Sequence, residues 1–195
     1  MSIQTRSIPL SRTTPGQLLL ATGFACLTAL GAAVTIPIGP VPITLQVLFV
    51  VLSGLVLGSR LGALSQMEYL VMGLAGAPVF SAGGSGLTWL LGPTGGYLVG
   101  FVVAAYVAGR VAESAARPGR VRFFVASLLG IAGLYLCGMV WLATWFAIGR
   151  GTNWVSEMGS AWQFGVLPFL LVDLAKAAVA SGVTVSGRAI AALLK

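Results

Sequence analysis

The stretch Phe164-Gly-Val-Leu-Pro-Phe-Leu-Leu-Val-Asp173-Leu-Ala-Lys176-Ala-Ala-Val-Ala-Ser-Gly-Val-Thr-Val185 is apolar almost throughout, yet it carries an acid and an amine one helical turn apart. A bare charge at the centre of a membrane span costs about 2.5 to 3.5 kcal/mol even on lenient insertion scales, so such residues pair and mark functional sites. Composition places the pair in lipid. Apolar residues make up 57% of the 195 and charged ones 8%, too few charges to coat a water-soluble globule of this size. No polar block is long enough to fold alone, so the expectation is an all-α integral membrane protein with a single domain, 1–195.

Windows of roughly 20 apolar residues, with shorter pieces accepted where protein covers their ends, locate spans. They fall at 17–34, 43–57, 61–74, 92–109, 123–148 and 162–187. Only Gly58, Ser59 and Arg60 separate the second from the third, and Arg60 argues for a turn at the membrane surface. A bundle of six transmembrane helices with both termini on one side puts Arg6, Arg12, Arg60, Arg110, Arg117, Arg120, Arg122, Arg188 and Lys195 together, with Arg150 opposite. Basic residues gather on the cytoplasmic side, so the termini are expected there, in a multi-pass protein of the cell membrane. The net charge of +7 is then mostly topology. Its residues are scattered over short turns rather than gathered on one face, which argues against nucleic acid. Arg6 and Arg12 precede an apolar run longer than a signal-peptide core, and more spans follow; the run reads as a retained first helix. Cys26 and Cys137 fall inside spans without partner spacing, and histidine is absent, so buried inert thiols and no metal are expected.

Three segments face outward as candidate lid loops. Residues 35–42, Thr-Ile-Pro-Ile-Gly-Pro-Val-Pro, are barred from helix by three prolines yet too apolar for a free loop, and are expected to pack back onto the protein. Residues 76–91 carry Phe80, Gly83, Gly84, Gly86 and Trp89: glycines admit close approach and the rings offer flat apolar surface, although a surface cap that binds nothing has the same composition. Residues 150–161 are more polar, with Asn153, Trp154 and Glu157.

Spans two, four and six begin on this outer side, so their free N–H groups point toward it. Gly92-Pro93-Thr94-Gly95-Gly96 makes a helix opening where an anionic group can rest. Counted from Trp162, Asp173 lies about 16 Å along its helix and Lys176 about 4.5 Å further on the same face. Loops folded over this pair would enclose a small polar solute with donors and acceptors. The alternative is a pair that only neutralises itself or anchors helices, but a buried ion pair is a poor source of stability.

Four separated motifs, in order along the chain, resemble those of the BioY family. They are Thr35-Ile-Pro-Ile-Gly-Pro-Val-Pro-Ile-Thr-Leu-Gln46, Gly76-Ala-Pro-Val-Phe80, Leu91-Gly-Pro-Thr-Gly-Gly-Tyr-Leu-Val-Gly-Phe101 and Asp173-x-x-Lys176. BioY proteins are the biotin-capturing membrane (S) subunits of energy-coupling factor (ECF) transporters. The resemblance implies a six-helix protein that binds biotin from outside and works with a transmembrane coupling (T) subunit and cytoplasmic ATPases. It implies that Asp173 and Lys176 hydrogen-bond the polar end of the ligand, that Thr44 and Gln46 line the same cavity, and that Tyr97, Phe80, Gly84 and Trp89 enclose the ring and tail. Ala21, Ala25, Ala29 and Ala33 form a small-residue stripe on the first span. Internal packing explains such a stripe, while the resemblance favours a docking face for the coupling subunit. Gly96 and Gly100 form a similar, internal pair.

Gln66 and Glu68 depart from the family pattern in span three, about 12 Å beyond Arg60 for Glu68. Glu68 can line the cavity, pair with Lys176, or sit protonated and inert. Lys176 and Lys195 are the only lysines and no Gly-x-x-x-x-Gly-Lys-Ser/Thr loop exists, so ATP must be hydrolysed elsewhere and the chain needs no cofactor of its own. The competing reading is a self-contained facilitator or proton-coupled carrier using Glu68 and Asp173 as relay carboxylates, against which no inverted repeat is evident. An enzyme is not expected: no serine or cysteine has an evident base.

Overall fold

The structure, a computed structural model, describes residues 14–115 and 118–193, with side chains through Gly187. Arg6, Arg12, Arg117, Lys195 and the side chain of Arg188 lie outside the described residues. Helix α1 (Pro15–Ala33) opens with Pro15 at its first position and the Thr14 N–H donating to Gln17 Oε1 at 2.9 Å. A short antiparallel hairpin follows, β1 (Thr35–Ile36) on β2 (Ile43–Thr44), with Thr35 opposite Thr44. The proline-rich segment inside it does pack back, burying Val41.

Helices α2 (Gln46–Leu57) and α3 (Ser59–Leu74) reverse at Gly58, whose φ of 86° suits glycine. The first orphan amide of α3 is capped from a neighbour: Glu113 accepts from Ser59 N and from Ser59 Oγ, each at 2.8 Å. After the short α4 (Leu87–Leu91) come α5 (Gly95–Glu113) and α6 (Arg120–Arg150), which pack on one another along their length. Gly96 and Gly100 face α6 there, so that pair is internal.

Among the described residues, four stretches are long and apolar enough to cross a membrane: α1, α5, α6 and the run Met158–Gly187. Helices α2 and α3, of 12 and 16 residues, reach only about 18 and 24 Å at 1.5 Å per residue, short of a hydrocarbon core. Leu19, Ile148 and Leu171 point outward at 74%, 80% and 81% exposure while Gln66 and Ser53 are buried, the inverse of a water-soluble surface. The protein is a multi-pass membrane protein.

Three sequence expectations are corrected. The last span is not one helix: α7 (Met158–Gly165) ends, Leu167–Phe169 forms a 3-10 turn, and α8 (Leu170–Leu193) begins afresh. Pro168 lacks the N–H that would continue the ladder. The alanine stripe is also used differently. Ala21 and Ala25 are wholly buried and Ala29 partly so, inside the bundle where α1 packs on α2 and α3, while the outward face of α1 carries Leu18, Leu19 and Leu30. Ala33, at its end, is exposed. Cys26 lies on the exposed side of α1 and Cys137 is half-buried on α6, both free.

Candidate functional site: an intramembrane cavity

The break at Pro168 places Asp173 in the first turn of α8, where the positive end of the helix dipole favours a carboxylate. Lys176, three residues on, donates from Nζ to Asp173 Oδ1 at 2.6 Å, with both side chains almost wholly buried. The second oxygen is also engaged: Tyr135 of α6 donates to Asp173 Oδ2 at 2.6 Å. Two donors hold the carboxylate in one orientation and compensate its burial. Lys176 keeps two N–H groups beyond the one it spends on Asp173, and each carboxylate oxygen keeps a lone pair.

All three residues line a cavity with about 560 Å³ of empty space, its open mouth included. The hairpin contributes Val41, Pro42 and Thr44, α2 contributes Gln46 and Val47, and the loop after α3 contributes Phe80 and Ser81. Thr94, Tyr97, Leu98 and Phe101 come from the start of α5, Leu134 and Tyr135 from α6, and Phe169 from the 3-10 turn. Apolar walls with a few converging polar groups suit a small molecule that is part ring or chain and part polar heterocycle.

Local packing explains how these side chains arrive. The start of α2 meets the end of α1 with Leu45 N donating to Gly31 O at 3.1 Å, and a Cβ on Gly31 would come within 3.0 Å of Gln46 N. Phe80 drops into a notch over Gly73, where a Cβ would stand 2.1 Å from the ring. Its loop is held by Gly86 N donating to Gly73 O at 2.8 Å and by Tyr69 donating to Val79 O at 3.0 Å. Tyr97 presents its ring to the cavity but spends its hydroxyl on Gly165 O at 2.8 Å, tying α5 to the break in the last span.

Gly84 and Trp89 do not line the cavity. They pack on each other, so closely that a Cβ on Gly84 would overlap the indole, and so shape the loop from behind. The third outward segment is tied down by Arg150, which pairs with Glu157 at 2.5 Å, reaches Ser160 Oγ at 3.2 Å and lies 4.6 Å over the Phe146 ring. Desolvation pushes the Glu157 carboxyl up, but hydrogen bonds from Thr152 and Ser160 and the Arg150 charge outweigh it and hold the group below the usual carboxylate range.

The departures in α3 resolve separately. Gln66 is fully buried, with Nε2 donating to Ser53 Oγ at 3.2 Å and Ser65 Oγ at 3.0 Å, and Oε1 3.4 Å from the Thr28 hydroxyl. Glu68 is half-buried and accepts from Thr22 Oγ1 at 2.9 Å, so it sits where α3 meets α1. It does not line the cavity, and Lys176 pairs with Asp173 instead.

Comparison with known proteins agrees with this architecture. The BioY family model matches residues 4–192. The chain belongs to the BioY family. A Pyrococcus horikoshii protein named "Probable biotin transporter BioY" is 43% identical over 157 residues, covering 80% of this chain and 86% of the relative. A Thermotoga maritima protein named "Biotin transporter BioY" is 40% identical over 165 residues, covering 85% and 91%. In fold, the chain resembles a crystal structure described as the S-component for biotin from an ECF-type ABC transporter. The TM-score is 0.75 at 22% identity, over 93% of this chain and 95% of that one.

For this BioY-family chain, Tyr135 is a polar cavity residue that sequence reading missed, and it bonds Asp173 directly. It sits in the apolar run of α6, where nothing but its hydroxyl distinguishes it from a lipid-facing ring, and its partner lies 38 residues away. Ser81 and Thr94 were likewise unassigned; both are buried against the cavity.

Proposed function

We propose that this protein is the biotin-binding S subunit of a vitamin uptake transporter, capturing biotin from the outer face of the cytoplasmic membrane. Family membership supports the reading, and one observation carries it at the site: a buried acid, amine and phenol that converge on an otherwise apolar cavity. A cyclic urea offers two N–H donors and a carbonyl acceptor, the complement of the Asp173 carboxylate and the spare protons of Lys176. The apolar walls suit the fused ring and aliphatic tail.

Six spans with both termini cytoplasmic fit the described residues: Arg60 follows the α2–α3 reversal, Arg110 closes α5, and Arg120 and Arg122 open α6, whereas Arg150 ends α6 at the other side. Helices α2 and α3 count as spans because their ends are covered by the hairpin and the 76–86 loop. The lid is then that hairpin and loop, on the extracytoplasmic side. The chain carries no cofactor; ATP is used by cytoplasmic ATPase subunits joined through a transmembrane T subunit.

Purified protein is expected to bind biotin at a stoichiometry near one and to co-purify with an ATPase when the coupling genes are co-expressed. No biotin binding to well-folded protein would refute the proposal. The carrier reading needs Glu68 and Asp173 to exchange a proton, and Glu68 lies instead beside Thr22 at the α1–α3 contact.

A further inference from the structure

Behind the α2 wall of the cavity runs a chain of hydrogen bonds that begins and ends on backbone groups and whose direction is set by the Val79 carbonyl. At one end the Gln46 backbone N–H, which can only donate, meets Thr44 Oγ1 at 3.3 Å. The Thr44 hydroxyl then donates to Gln46 Oε1 at 2.9 Å. At the other end the Val79 carbonyl, which can only accept, takes the Tyr69 proton at 3.0 Å. The Tyr69 oxygen is left to accept, and Gln46 Nε2 donates to it at 2.5 Å.

An amide's two ends are told apart by their partners, and here both partners agree. Turning the Gln46 amide over would aim its oxygen at a phenol already committed to Val79 and its NH2 at Thr44, stranding the Thr44 proton in a nearly closed space. Thr44, Gln46 and Tyr69 are 8%, 4% and 0% exposed, so water does not relieve the mismatch.

We infer that Tyr69, which is absent from the cavity lining, is a positioning residue for ligand binding: it fixes the Gln46 amide so that this wall offers a hydrogen-bond donor to an acceptor oxygen of the ligand. Among the described hydrogen bonds, the second Nε2–H of Gln46 is the one proton of the Thr44–Gln46–Tyr69 chain left uncommitted. The ring of Tyr69 has a separate packing role, 5.6 Å from Phe80 edge-on and 6.1 Å from Phe101, so removing the hydroxyl alone leaves those contacts in place. The inference rests on the biotin reading above.

The test is a biotin titration of the full chain in detergent with Tyr69→Phe, Gln46→Ala and the double variant. Tyr69→Phe is expected to weaken binding about tenfold, and the double variant to bind no more weakly than Gln46→Ala alone, since Tyr69 acts through that amide. Wild-type affinity in Tyr69→Phe, or losses that multiply in the double variant, would overturn the inference. Biotin binding by the unsubstituted chain in the same titration keeps a failure here distinct from a failure of the ligand reading. Where Tyr69→Phe does not fold, Gln46→Met decides: a thioether of similar length has no proton to offer, so at least a tenfold loss is expected, and unchanged affinity contradicts the proposal.

Discussion

Two polar groups lie inside the same helical bundle, Gln66 with its hydroxyl partners and Asp173 with Lys176 and Tyr135, and they are built for different ends. Around Gln66, Ser53 and Ser65 accept from the amide NH2 and donate on to carbonyls of their own helices, while the one Thr28 proton is shared between Phe24 O at 3.0 Å and Gln66 Oε1 at 3.4 Å. That cluster is closed, with no described cavity against it. Around Asp173 the carboxylate is held from two sides, yet spare protons and lone pairs face an open space. Depth in the membrane is common to both; what separates structure from function is capacity left unspent. Position, not capacity, sets Glu68 apart: it accepts from Thr22 at the α1–α3 contact, away from the cavity.

Substitutions turn this contrast into numbers. The largest effect is expected at the open cluster: Asp173→Asn and Lys176→Ala should each weaken biotin binding at least tenfold, about 1.4 kcal/mol, by equilibrium titration. Lys176→Ala should also lower the thermal midpoint, because removing one partner strands a buried charge at a cost of about 3 kcal/mol. Next comes Tyr135→Phe, which keeps the ring and frees one carboxylate oxygen; a loss of about 1 kcal/mol in binding, roughly fivefold, is expected. At the closed cluster the pattern reverses. Gln66→Leu should cost about 1 kcal/mol of stability, read as a lowered unfolding midpoint, with biotin affinity unchanged. Smallest of all, Glu68→Gln keeps an acceptor for Thr22 and should alter neither affinity nor uptake; loss of uptake would revive the carrier reading.

Sequence alone exposed one cluster better than the other for a physical reason. A charge in an apolar run is conspicuous, so Asp173 and Lys176 were legible without coordinates. Tyr135 was not, because an aromatic ring on an apolar helix suits lipid, core and ligand equally. The alanine stripe failed for a related reason: spacing of four defines a face but not which way it turns, and Ala21 and Ala25 turned inward. Pro168 did announce the broken last span, but the apolar run around it read as continuous. The break matters, since it moves Asp173 from mid-helix to a first turn. The family resemblance implied ligand contacts at Gly84 and Trp89, where composition left a surface cap equally open, and their mutual packing serves the loop.

The central claim is that biotin docks against the buried acid and amine of α8, and a crystal structure of the biotin complex tests it most directly. The account predicts ligand density within the cavity, its cyclic urea at about 3 Å from both Asp173 and Lys176. Density elsewhere, with these two side chains paired only to each other and turned toward a neighbouring helix, would contradict it.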